Sequence, residues 1–81
     1  MNVRVVAFAR IREIVGFAQS EFALPEGAGT RELWELLLAA HPALAELANS
    51  TRIARNGVLI SAAAELADGD EVALLPPVGG G

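Results

Sequence analysis

The sequence predicts an α+β domain in which a mixed sheet packs on one main helix. Three observations point there. The segment Val3-Arg4-Val5-Val6-Ala7-Phe8-Ala9 and the segment Glu71-Val72-Ala73-Leu74-Leu75 read as strands at opposite ends of the chain. Between them Leu33, Leu36, Leu37 and Ala40 recur at helical spacing. Two turn signals, Asn56-Gly57 and Asp68-Gly69-Asp70, punctuate the second half. One helix and several strands, two of them far apart in sequence, suit a two-layer arrangement.

Taken in order, Val3, Val5, Ala7 and Ala9 share one face of the first strand, and Arg4, Val6, Phe8 and Arg10 the other. The arginines mark the second face as the wetter one. Arg10 to Val15 forms a short helical turn ended by Gly16. Glu21 to Leu24 fits a second strand, and Pro25 to Gly29 a loop. Thr30 is placed to cap the main helix, with Glu32 complementing its dipole. The stripe from Leu33 to Ala40 is expected to face the sheet. Pro42 disfavours helix at His41 and can open a second short helix with Leu44, Leu47 and Ala48 inward. Arg52–Arg55 and Val58–Ile60 flank Asn56-Gly57 as a hairpin.

The 81 residues are sufficient for one domain with a core near the lower limit of independent stability. With 53% hydrophobic and 20% charged residues, the chain has the composition of a folded domain, not a disordered one. A formal charge of −4 argues against nucleic-acid binding and for a partner with a basic face. No apolar run is long enough to span a membrane, and the start has no secretory signal, which favours a cytoplasmic protein. Cysteine is absent, so disulfides and thiolate chemistry are excluded. All six basic residues are arginines, so no lysine amine of the chain can capture an activated acyl group.

Side-chain chemistry does not explain a function. His41 stands alone at a helix end. Asp68, Asp70 and Glu71 read as a solvated turn, because cation sites need more oxygens in defined geometry. Gly27 and Gly29 lack the basic residue of a phosphate loop.

The last residues carry more information. Pro76-Pro77 forces the chain off the sheet, and Val78-Gly79-Gly80-Gly81 follows with almost no side chain. A tail over 76–81 is expected to be flexible and extended, beyond a domain spanning 1–75. The five residues after Pro76 can reach about 17 Å. The reactive group expected at its tip is the α-carboxylate of Gly81, which needs activation, for example as an acyl-adenylate, before it can react. Strand parity puts Phe8 and Leu75 on the face away from the helix, and Leu59 is likewise out of phase with Val58 and Ile60. Together they would form an exposed apolar patch near the tail, a usual mark of an interaction site.

The run Phe8-Ala9-Arg10-Ile11-Arg12-Glu13-Ile14-Val15-Gly16, Asn56 in the hairpin, Leu66-Ala67-Asp68-Gly69-Asp70-Glu71-Val72-Ala73 and Pro76-Pro77-Val78 with a terminal Gly80-Gly81 together resemble one family. It is the small-subunit family of molybdopterin synthase, whose members are ubiquitin-like β-grasp sulfur carriers. The resemblance spans nearly the whole chain. It implies that an E1-like enzyme adenylates Gly81 with Mg-ATP and that a sulfurtransferase then converts it to a thiocarboxylate. It further implies that Pro76, Pro77, Val78, Gly79 and Gly80 enter the large synthase subunit, where sulfur passes to cyclic pyranopterin monophosphate to build a dithiolene. Phe8, Arg12, Leu59 and Leu75 are implied as partner-binding residues. No cofactor would be bound by this chain, and alone it would have no activity.

Two features depart from the family pattern. Leu74-Leu75 replaces an aromatic pair often found before the prolines, and Gly79 adds a third glycine. The alternatives are a sulfur carrier for thiamine or tRNA thiolation, a modifier that forms isopeptides with lysines, and a plain β-grasp binding module.

Overall fold

The computed structural model describes residues 1–77. The expected segments Val78, Gly79, Gly80 and Gly81 lie outside the described residues. The elements are β1 (Asn2–Ala7), α1 (Ala9–Val15), β2 (Gln19–Ala23), α2 (Thr30–Ala40), a 3₁₀ helix (Pro42–Leu47), β3 (Arg52–Arg55), β4 (Val58–Ile60) and β5 (Glu71–Leu75). The five strands form one sheet in the order β2-β1-β5-β3-β4. β1 and β5 are parallel, and every other pair is antiparallel. The strand expected near the end of the chain is therefore central.

Period-two alternation fixes the register. Val3, Val5 and Ala7 on β1 and Val72 and Leu74 on β5 are buried on one face. Leu33 and Leu37 of α2 and Leu44 of the 3₁₀ helix close over them in a single core. Filling that space with branched aliphatic side chains is the main stabilising effect in so short a chain.

Several local expectations are corrected. β1 stops at Ala7, and Ala9 is exposed at the start of α1. The chain turns there through a left-handed Ala9 (φ 53°), a strained conformation for a residue with a Cβ. The helix stripe is also rotated. Thr30, Leu33 and Leu37 are buried, with Trp34 and Leu38 packed beside them, while Leu36 and Ala40 are exposed. Ala48, expected inward, is exposed as well.

Thr30 does not cap α2. Gly29 occupies the N-cap, and the Glu32 carboxylate accepts a 2.6 Å hydrogen bond from its N–H. Thr30 lies inside the helix because the segment before Leu66 crosses over this end. Its hydroxyl accepts from the Ala64 N–H at 3.1 Å, and its own N–H donates to the Ala64 carbonyl at 2.9 Å. Gly29 is required by that crossing: a Cβ there would sit 2.6 Å from the Ala64 oxygen.

Candidate functional site

The sheet has one face covered by α2 and one face open. Cross-strand partners share a face, so the register lays out the open one. Leu59, Ala54, Ala73 and Val6 form one row across β4, β3, β5 and β1. Arg52 and Leu75 form the next, and Phe8 follows the β1 residue paired with Leu74. Two alanines thus stand at the centre, with larger apolar side chains around them. Phe8 is 43% exposed and Leu59 48% exposed; Leu75 is half-buried against its neighbours. The centre of the open face is therefore apolar. On the same face Arg4 and Glu71 form an exposed 3.1 Å ion pair, which contributes little to stability.

Each expected docking residue is held by an identifiable element. Phe8 is extended at the N-cap of α1, and its carbonyl accepts from the Arg12 N–H at 3.3 Å, so Arg12 sits one turn beyond it, exposed. Leu59 is placed by the hairpin turn, where Asn56 (φ 51°) and Gly57 (φ 85°) both take the left-handed conformation of a tight two-residue turn. Leu75 ends β5 and leads directly into exposed Pro76 and Pro77. Val58 shares the helix-side parity of Ile60 but is 66% exposed, because β4 is the sheet edge. Sequence reasoning put Val6 on the face of Phe8 but named neither it nor Ala54 and Ala73 as docking residues. Strand parity on β1 and β5 contained the signal for Val6 and Ala73; Ala54 needed the hairpin register.

The two turn signals are one structure. Asn56 Nδ2 donates to Asp70 Oδ1 at 2.9 Å, and the Glu71 N–H donates to Asn56 Oδ1 at 2.9 Å. The Ala67 N–H donates to Asp70 Oδ2 at 2.8 Å, and the Asn2 N–H to Asp68 Oδ1 at 2.6 Å. This clamp fixes the start of β5 against the β3–β4 turn and the start of β1. No metal-holding group of three or more His, Cys, Asp or Glu occurs among the described residues. The Asn56 amide and then the Ala67 N–H hold the Asp70 carboxyl below its ordinary value. A depressed folded value means Asp70 stabilises the fold above the unfolded-state value and loses that effect as pH falls through the folded one. Asp70→Asn is therefore expected to lower the urea midpoint at pH 7 and to flatten its decline below about pH 4. Parallel pH profiles for the two proteins would contradict this.

No helix among the described residues is long and apolar enough to cross a membrane.

A mixed sheet of this order wrapped on one helix, with an open apolar face and a proline-led exit from its central strand, defines a ubiquitin-like β-grasp protein. The chain belongs to the ThiS family, whose model matches residues 5–81. A molybdopterin synthase sulfur carrier subunit of Chlamydomonas reinhardtii is 39% identical over 83 residues, with all of both chains covered. Small archaeal modifier protein 1 of Haloferax volcanii is 33% identical over 82 residues, covering 91% of this chain and 94% of the relative. A Pyrococcus furiosus structure assigned as molybdopterin converting factor subunit 1 superposes with a TM-score of 0.85 at 37% identity, covering 96% of this chain and 99% of the other. The complex of subunits 1 and 2 of molybdopterin-converting factor from Helicobacter pylori contains a chain that matches with a TM-score of 0.71 at 30% identity, with both chains fully covered. The sequence resemblance and the expected fold agree with these findings.

Proposed function

We propose that this chain is the sulfur carrier subunit of a molybdopterin synthase. The observation that carries this reading is similarity over the whole chain, at 39% identity, to a relative bearing that name. The open face supports it: apolar side chains lie beside the point where β5 hands over to Pro76, so one partner can grip the face and receive the tail. By analogy with the two-subunit Helicobacter complex, that partner is the large synthase subunit.

The chemistry belongs to Gly81. Its carboxylate attacks the α-phosphorus of ATP on an E1-like enzyme and releases pyrophosphate. Hydrosulfide-level sulfur attacks the acyl carbon, AMP leaves as the acyl–phosphate bond breaks, and a thiocarboxylate remains. On the large subunit that sulfur attacks a side-chain carbon of the pyranopterin, where the new carbon–sulfur bond replaces a carbon–oxygen bond, and water cleaves the acyl–sulfur bond to restore the carboxylate. Two carriers are consumed for each dithiolene.

The test separates activation from transfer. Carrier bearing a thiocarboxylate at Gly81, mixed with a large subunit and cyclic pyranopterin monophosphate, is expected to form dithiolene without ATP. The carboxylate form should bind the same partner and yield no product. Thiolated carrier that makes no dithiolene but supports thiazole synthesis or tRNA thiolation would overturn the pterin assignment and leave the carrier role standing.

The likeness to the Haloferax modifier favours a second reading, conjugation of Gly81 to lysines of other proteins. Intact-mass analysis distinguishes the two by the Gly81 adduct, a thiocarboxylate or an isopeptide.

A further inference from the structure

A second surface adjoins the open face at the β4 edge and shares Leu59 and Arg52 with it. A groove of about 650 Å³ runs between the first turns of α2, the approach to β3, and the end of β4 with the residues after it. Its lining combines three features. Half-buried Trp34, Ile53 and Ile60 present apolar surface, and Ala48, Ala62 and Ala63 bring no bulk to cover it. Arg31 and Arg52 line it and are exposed, and none of the lining residues is acidic. This is a local reversal in a chain with ten acidic residues and six arginines. Finally, β4 has a strand on one side only, so the edge beside the groove can pair with an added extended segment.

We propose that this groove docks an extended acidic segment of a partner protein, one with an apolar side chain at its centre. The apolar side chain would seat against Trp34 between the alanines, and flanking carboxylates would meet Arg31 and Arg52. Guanidinium groups suit this task because they bind carboxylates in a two-point geometry and keep their charge. The proposal does not depend on sulfur transfer: Gly81, Phe8 and Leu75 take no part, although Leu59 and Arg52 are shared with the open face.

Trp34 is the only tryptophan, so its emission reports on this site alone. The full chain is titrated with a ten-residue peptide that has a Leu-Val-Leu centre flanked by glutamates, and with the same peptide flanked by lysines. The glutamate peptide is expected to change Trp34 emission saturably and to shift amide resonances of Thr30, Trp34, Ile53 and Leu59 to Ala63. Raising salt should weaken it, as screening requires. The pair Arg31→Glu with Arg52→Glu should weaken binding at least tenfold without lowering the melting temperature, because both side chains are exposed. Equal binding of the lysine peptide, shifts confined to Phe8 and Leu75, concentration-dependent shifts without peptide that indicate a second copy in the groove, or no saturable change at millimolar peptide would each overturn the proposal.

Discussion

Deletion of Gly81, or extension of the chain beyond it, is expected to abolish sulfur transfer while leaving the fold intact. In the proposed mechanism the sulfur sits on the α-carboxyl carbon of Gly81. One residue more or less moves that carbon by about 3.5 Å. A displacement of ~1 Å can already cost about 100-fold in rate, so the loss should reach background. Stability should change by less than about 0.5 kcal/mol, because the core residues lie between Val3 and Leu74. That corresponds to a melting shift of only about 2–4 °C for a domain of this size. The measurement pairs dithiolene formation with thermal unfolding. A variant extended past Gly81 that still supports synthesis, with the extension verified intact by mass, would refute the assignment of the reactive group.

Phe8→Asp is expected to weaken binding to the large synthase subunit by roughly 30-fold or more, the equivalent of about 2 kcal/mol for a central apolar anchor. Phe8 is 43% exposed in the free chain, so its replacement removes little core packing. In a docked complex the new carboxylate would lose water without gaining a partner. Leu75→Asp should weaken binding as well, with some cost to folding, because Leu75 is half-buried and pairs with Arg52. Calorimetric titration against the large subunit, with urea unfolding of each variant, separates the two effects. Normal binding by both variants, or unfolding of both, would show that the open sheet face is not the docking surface.

The sequence made the sheet faces legible because strand parity is a strict rule. One alternation on β1 and one on β5 were enough to separate Val5 and Val72 from Phe8 and Leu75. The helix face was less legible. Leu36, Leu37 and Leu38 are consecutive, so a helical period can be drawn through more than one stripe. What settled the choice is non-local: the Ala64 segment crosses the helix start, buries Thr30 and turns the face toward Trp34 and Leu38. The bond between Asn56 and Asp70 was hidden for the same reason. Each turn is visible alone, but their meeting depends on β3 pairing with β5. The proposed reactive end rests on composition and resemblance alone, and residues 78–81 lie outside those described.

The central position of β5 has a consequence for synthesis on the ribosome. Before residues 71–75 emerge, a nascent chain can form only β1 with β2 and β3 with β4, two separate hairpins with no strand to join them. Isolated two-stranded hairpins are marginal in water. A product broken off before Glu71 should therefore stay unfolded and open to proteolysis. The folded body can exist only once translation has passed through β5, at the threshold of the segment proposed to carry the chemistry. Quality control of the folded body is thus written into strand order: a copy that stops short of β5 cannot pose as a folded one.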